Sequence, residues 1–296
     1  MEYLYILIYY LSYFIFLFIF YIGYCFFREK KIKKIAVFII IIISLVFIYA
    51  RFIEPKMLIE KTADLSSITE NALGIKAVIF SDLHIGVYKN TVSLEKIADK
   101  TNEQYPDIVF IPGDFIYNIS KDDIEKKLSP IAKIKAPVYA VTGNHDKSIK
   151  SNLETEVEDA LEKYGAHIIN NKMEKINIKG TEIILIGLRD LWSGDINFQL
   201  LNGLPNDVYS IALAHNPDSV YYFPANCNVD LVISGHTHGG QIRLPYIYKY
   251  VIPTAHDFDK GFYNVKGINV FVSPGVGMTG IPLRFLMPPE LDILYF

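Results

Sequence analysis

Cysteine is nearly missing from this chain of 296 residues: it has two, Cys25 and Cys227. Cys25 falls in an apolar run near the start. Residues 57–296 therefore have one cysteine and can form no disulfide of their own, and no structural zinc site of several thiolates can be assembled. Internal repeats and low-complexity linkers are also missing, apart from the apolar segments. Basic excess is missing from most of the chain. Residues 1–56 hold 7 of the 29 Lys+Arg and 3 of the 32 Asp+Glu, which leaves 22 basic and 29 acidic groups, net −7, in the remainder. A surface of that sign argues against nucleic acid as a partner. It still allows a small anionic substrate held through metal ions.

Charge is absent altogether from residues 3–27 and again from 35–50. A helix of 25 residues spans about 37 Å, ample for a hydrocarbon core of about 30 Å. The second run is slightly short, and Lys34 and Arg51 at its ends could snorkel to the headgroups. The reading is a membrane anchor over residues 1–56, with transmembrane helices at about 3–27 and 35–51, followed by a catalytic domain over 57–296. A cleavable signal peptide would want a basic start and a shorter apolar core, and this start carries Glu2. One spanning helix with an interfacial second segment is the other arrangement. Residues 28–34 hold five Lys or Arg, and such short loops stay cytoplasmic. Two spans then put the domain outside the cytoplasm, on a multi-pass membrane protein, with the lipid bilayer as a partner.

Within the domain, apolar β-branched runs alternate with amphipathic ones. Strands are expected over 75–80, 107–111, 137–141, 173–178, 182–187, 209–214, 231–234, 268–273 and 291–295, with helices over 92–104, 121–134 and 153–164. Strand–helix alternation followed by a strand-rich half predicts an α/β fold with two mixed sheets. Five polar motifs each follow the carboxyl end of a strand, the edge where open α/β sheets bind ligands. They are Asp82-Leu83-His84, Gly113-Asp114, Gly143-Asn144-His145-Asp146, His215 and Gly235-His236-Thr237-His238.

Five of the seven histidines sit in these motifs, with Asp82, Asp114 and Asn144 beside them. A mixed N/O donor set suits Mn²⁺, Fe or Zn²⁺ better than Ca²⁺. The groups are too many for one four-coordinate ion and enough for two sharing a carboxylate. Singly, each has a plain explanation. Asp82 and Asp114 could cap a turn, Asn144 after glycine reads as a turn, and a lone histidine is more often hydrogen-bonded structure. Together they read as a site. His167 and His256 lie outside the motifs and read as surface or structural. Arg243 and Arg284 could meet phosphate, against ordinary pairing. Tyr246, Tyr248 and Tyr250 read as a strand face or an interfacial aromatic surface. Trp192, the single tryptophan, has no reading.

In this order the motifs resemble the calcineurin-like metallophosphoesterases, over roughly residues 75–296. Ser81-Asp82-Leu83-His84, Leu213-Ala214-His215-Asn216-Pro217-Asp218 and Gly239-Gly240-Gln241 look like the membrane-anchored bacterial branch. The resemblance implies a four-layer α/β/β/α sandwich and two divalent metal ions. It implies Asp82, His84 and His238 on one metal, Asn144, His215 and His236 on the other, and Asp114 bridging both. His145 would act on the leaving oxygen or the phosphoryl charge, and Asp146 would orient His145 or support it. The implied reaction is hydrolysis of a phosphodiester or pyrophosphate by a metal-bridging hydroxide, on an envelope- or lipid-linked substrate. Two other readings stand beside it. One is a cytoplasmic-facing pyrophosphate hydrolase of a nucleotide-linked lipid A precursor. The other is a metal-binding membrane scaffold without turnover.

Overall fold

The structure is a computed structural model that describes residues 2–28, 31–65, 73–148 and 151–296. Glu29 and Lys30 of the basic loop lie outside the described residues. The first apolar run is helical through Glu2–Leu11, a 3-10 turn at Ser12–Phe14 and Ile15–Arg28. The second runs Lys31–Ile48 and continues as a π turn over Tyr49–Ile53 and a 3-10 turn over Glu54–Lys56. Tyr3–Arg28 and Lys34–Lys56 are each long and apolar enough to cross a membrane, and only 11% and 22% of their apolar windows are buried. The second segment thus runs beyond the charge-free stretch and through Arg51.

Arg51 departs from the snorkelling expectation. It is fully buried, with its guanidinium over the rings of Tyr9 at 4.3 Å, Phe52 at 4.7 Å and Tyr13 at 5.4 Å. Its Nε donates to Ser12 Oγ at 2.9 Å. Its backbone carbonyl accepts Asn90 Nδ2 at 2.7 Å. Facing an aromatic quadrupole stabilises a desolvated cation by about 2 kcal/mol. Arg51 therefore joins the two helices to each other and to the domain. Tyr9 packs on Tyr88 with ring centroids 5.1 Å apart, Tyr88 lies 5.5 Å from Tyr117, and the Tyr9 hydroxyl accepts the Lys89 backbone N–H at 3.1 Å. The helices and the domain share a small core of Tyr9, Tyr88, Tyr117 and Met278.

The domain holds two six-stranded mixed sheets. The first runs in the order Ile59–Asp64, Glu290–Tyr295, Lys76–Ile79, Ile108–Pro112, Val138–Val141, Ala166–Ile168, and only the Glu290–Tyr295/Lys76–Ile79 pair is antiparallel. The second runs Lys172–Ile178, Thr181–Leu188, Tyr209–Ala214, Leu231–Ser234, Ile268–Val272, Gly261–Val265, antiparallel at both outer pairs. Strand alternation sorts the core. Val78 and Val109 face the helices Leu94–Glu103, Lys121–Leu128 and Glu154–Lys163, while Ala77, Ile79 and Phe110 face Leu185, Ile211 and Ile233 of the other sheet. Each fully buried aliphatic or aromatic side chain contributes roughly 2 kcal/mol.

The outer face of the second sheet packs Ile184, Ile186, Ala212 and Val232 against Leu201, Val220 and Phe258. Among the described residues its cover is 3-10 turns, Phe198–Leu201 and Pro217–Tyr222, and loops, so the fourth layer of the sandwich is thin. Three strands of the two large sheets had no sequence forecast: Ile59–Asp64, Ala166–Ile168 and Gly261–Val265. The helix forecast over 121–134 stops at Leu128 and tightens to a 3-10 turn where Pro130 removes an N–H. Lys76–Ile79, Ile108–Pro112 and Val138–Val141 run parallel in one sheet, and Tyr209–Ala214 and Leu231–Ser234 in the other, so their carboxyl ends gather at one edge.

Candidate metal centre

Strand Lys76–Ile79 leads to Asp82 and His84, Ile108–Pro112 to Asp114, and Val138–Val141 to Asn144 and His145. From the second sheet, Tyr209–Ala214 delivers His215, and Leu231–Ser234 delivers His236 and His238. Asp82, His84, Asp114, His215, His236 and His238 are all buried. The backbone is bent to bring them there. Asp82, His84, Asp114, His236 and His238 all have φ between +44° and +72°. Left-handed backbone at a non-glycine residue costs on the order of 1 kcal/mol or more. Two glycines admit the close approach: a Cβ on Gly143 would strike the Asp114 carboxylate and backbone N, and one on Gly235 would lie 2.5 Å from Ser81 Oγ and 2.6 Å from Asp82 Oδ2.

The side chains form two triads joined by one carboxylate. In the first, His84 Nε2 and His238 Nε2 face each other at 2.9 Å, and His238 Nε2 stands 3.4 Å from Asp82 Oδ1. In the second, His215 Nε2 is 3.2 Å from His236 Nδ1 and 3.3 Å from Asp114 Oδ2. Asp114 Oδ2 is also 3.4 Å from His84 Nε2. Asp82/His84/His238 and Asp114/His215/His236 can each hold a metal ion, as can His84/Asp114/His145 between them. Second partners fix the orientations. His215 Nδ1 donates to the Pro112 carbonyl at 2.7 Å, which points its Nε2 lone pair into the site. The Asp82 carboxylate accepts the His236 backbone N–H at 3.0 and 3.1 Å and the Ser81 hydroxyl.

The donor set fits cations. Lone pairs and carboxylate oxygens converge with few donors among them. Asn144 Oδ1 is buried with no hydrogen-bond partner among the described residues. Buried polar atoms are rarely left so. Two nitrogens about 2.1 Å from one ion at a right angle lie about 3 Å apart, close to the His84–His238 spacing. Burial holds His84 and His238 well below the ordinary histidine range and His236 at about 3. Burial works against charge on His215 too, but the Asp114 carboxylate overrides it and raises that imidazole well above the ordinary value. Burial pushes Asp82 up to about 6, against the pull of His215. Neutral His84, His236 and His238 are in the state that metal binding requires, and His215, charged beside Asp114, would give up its proton to a cation.

His145 lies at the rim, half-buried. Its backbone N–H donates to Asp114 Oδ1 at 2.8 Å, and its ring meets His84 at 4.8 Å and Tyr117 at 5.2 Å, both edge to face. Asp146 is fully buried, and its carboxylate accepts from backbone. Its Oδ2 accepts N–H from Gly143 at 2.9 Å and Asp114 at 3.1 Å, and its Oδ1 from Phe115 at 2.9 Å and Ile116 at 3.2 Å. It clamps the Asp114 loop to the Asn144–His145 loop and makes no such bond to the His145 ring.

Other sequence candidates fall outside. Arg284 is fully buried and donates to the carbonyls of Gly277, Met287, Pro274 and Gly275. Arg243 pairs with Asp259 at 2.7 Å and Tyr248 at 2.8 Å. Neither arginine is free for a phosphate. His167 stacks on Tyr139 and His256 on Tyr221, away from the cluster. Tyr246–Tyr250 is turn and 3-10 backbone, not a strand. Trp192 does reach the site: it meets His236 edge to face at 4.4 Å and is 57% exposed. Asp190 shapes its loop by accepting N–H from Trp192 and Ser193. No local pattern marks Trp192, because the fold alone brings it against His236.

Residues 75–240 match the family described as calcineurin-like phosphoesterase. The chain is similar to the uncharacterized metallophosphoesterase YkuE of Bacillus subtilis, 32% identical over 254 residues that cover 83% of this chain and 87% of the relative. It is similar to phosphodiesterase YaeI of Escherichia coli, 30% identical over 260 residues, 83% of this chain and 91% of the relative. A Danio rerio relative described as a transmembrane protein with metallophosphoesterase domain is 28% identical over 253 residues. That match covers 80% of this chain and 56% of the relative.

Proposed function

The chain belongs to the calcineurin-like phosphoesterase family, a family of metal-dependent phosphoric ester hydrolases, and from that premise we propose a two-metal phosphoesterase held to a bilayer by residues 1–56. Asp82, His84 and His238 would hold one divalent cation, Asn144, His215 and His236 the other, and Asp114 would touch both. The observation that carries this is the place of Asp114 Oδ2, 3.4 Å from His84 Nε2 and 3.3 Å from His215 Nε2, one histidine of each triad. Imidazole, carboxylate and amide donors suit Mn²⁺, Fe or Zn²⁺. Bound there, the cations would neutralise phosphoryl charge and make a water molecule acidic enough to attack phosphorus.

The chain's own groups do the rest. His215, locked by Pro112, and His84 hold the Asp114 carboxylate between them. His145 stands at the rim within reach of a leaving oxygen and would give it a proton. Asp146 holds the two loops in register, so Asn144 and His145 keep their places relative to Asp114. Trp192 walls the side of His236. The favoured substrate is a phosphodiester or pyrophosphate of the cell envelope, because two apolar helices are packed directly on the domain. The five basic residues of the 28–34 loop support an extracytoplasmic domain.

The test is hydrolysis of bis(p-nitrophenyl) phosphate by the full chain with added Mn²⁺, beside Asp114→Ala. Loss of the shared carboxylate should lower the rate by about 10³-fold or more, the scale of removing a transition-state contact. Equal rates would overturn the assignment.

A further inference from the structure

The segment following the ligand loop turns apolar side chains outward. Tyr246 and Tyr250 are each 89% exposed, and Ile247 and Val251 are exposed beside them. The segment is not loose. Between those rings Tyr248 points inward, its hydroxyl bonded to Arg243 and to Asp259 at 3.0 Å, its ring 4.3 Å under the Arg243 guanidinium. A Cβ on Gly240 would strike the Tyr248 ring, which places the turn directly on the backbone after His238.

One loop joins this turn to the membrane helices. Gln241 Nε2 donates to the carbonyls of Thr279 at 2.9 Å and Ile281 at 2.8 Å, and Arg243 N–H donates to Phe285 O at 2.8 Å. On its other side the loop is bonded to the end of the second helix: Arg284 N–H donates to Ala50 O at 3.0 Å, and Met287 N–H to Glu54 Oε1. Gly280 faces the Tyr5 ring of the first helix at 3.8 Å from where its Cβ would be. The same loop exposes Ile281 and Leu286. Hydrogen bonds thus link the two helices, the loop that exposes Ile281 and Leu286, and the Tyr246–Val251 turn. No acidic residue occurs between Gln241 and His256 or between Val276 and Pro289, while Lys249 is exposed within the patch.

We propose that the Tyr246–Val251 turn, with Ile281 and Leu286, enters the interface of the same bilayer that the helices cross, and seats the mouth of the metal centre at headgroup level. Continuity with the helices selects a bilayer over a protein partner. Tyrosine rings flanked by aliphatic side chains and a lysine match the chemistry of an anionic membrane interface. The second part rests on the phosphoesterase reading: a site at that depth takes phosphoesters carried in the headgroup layer in preference to soluble ones.

The experiment uses the full chain in vesicles of phosphatidylcholine and phosphatidylglycerol. An environment-sensitive fluorophore is placed at Tyr250→Cys in a background where Cys25 and Cys227 are serine. A label at Tyr105→Cys, exposed next to the amino-terminal end of strand Ile108–Pro112, serves as comparison. The Tyr250 label should be quenched by nitroxide lipid and shielded from iodide, and the Tyr105 label the reverse. Equal iodide access for both would overturn the docking surface, whatever the enzyme does. The second arm compares Tyr246→Ser/Ile247→Ser/Tyr250→Ser with the parent. Turnover of soluble bis(p-nitrophenyl) phosphate should be unchanged, while turnover of phosphatidyl-p-nitrophenol in the vesicles should fall roughly tenfold as interfacial anchoring is lost. A parallel fall on both substrates would make the turn part of the site and overturn the proposal. If the parent hydrolyses neither substrate, the phosphoesterase reading fails, and the quenching arm still decides the surface.

Discussion

Replacing Asp146 with asparagine separates two roles for a residue adjacent to the proposed acid. The carboxylate accepts four backbone N–H groups at 2.9 to 3.2 Å in a fully buried position. Burial pushes this carboxyl up to about 8, while the N–H groups it accepts pull the other way by favouring the ionised form, in which both oxygens only accept. An amide keeps one oxygen and can satisfy two of the four donors. Its NH₂ group then faces the other two, and each buried donor left unpaired costs about 1–3 kcal/mol. The variant should lose about 4 kcal/mol, a large part of the 5–15 kcal/mol that folded domains hold in reserve. For a domain of this size that corresponds to a fall in Tm of about 10 °C. Both clamped loops carry proposed ligands, Asp114 and Asn144, so bound metal should fall together with stability. The assay is thermal unfolding of the full chain in detergent, with metal analysis of the same sample. Unchanged Tm and metal content with turnover lost would refute the clamp and give Asp146 a direct part in proton transfer through His145.

His145→Ala should keep its metal and lose turnover by about 10²–10⁴-fold, the usual contribution of a positioned acid; a fall in metal content would make His145 a ligand. His236→Ala and His238→Ala should each lose about one metal equivalent, since the two histidines belong to different triads. Elemental analysis reads this directly, and loss of both metals from either variant would argue against separate sites.

The cluster of histidines and aspartates was legible in the sequence because metal-binding chemistry ties residue type to position. Ligands must leave the carboxyl ends of parallel strands, and histidine or aspartate after an apolar β-branched run is visible in one dimension. The inner strands were legible for the same reason: Leu231–Ser234 and Tyr209–Ala214 have the expected bounds. The strands that escaped are edge strands or pairs of a distant partner. Ile59–Asp64 alternates weakly and owes its place to Glu290–Tyr295, more than 200 residues away. The role of Asp146 was not legible, because its partners are backbone donors some 30 residues earlier, and backbone leaves no mark in sequence. Arg284 and Arg243 were open for a related reason: carbonyls and one aspartate consume them. Arg51 misled because snorkelling assumes a cation at a helix end finds only water or lipid, whereas here Tyr9, Tyr13 and Phe52 enclose it.

The ring stack at the helix–domain junction bears on how the enzyme is handled. Tyr9 leans on Tyr88, Tyr88 on Tyr117, and Tyr117 touches both His84 and His145. The first helix is in that sense a wall of the catalytic pocket, one layer removed. A fragment beginning at residue 57 is not the same enzyme minus a tether. It has an aromatic stack uncapped at Tyr88, and an Asn90 amide and a Lys89 N–H without their acceptors. Rates measured on such a fragment describe a site without the layer behind Tyr88, and the full chain is the proper reference.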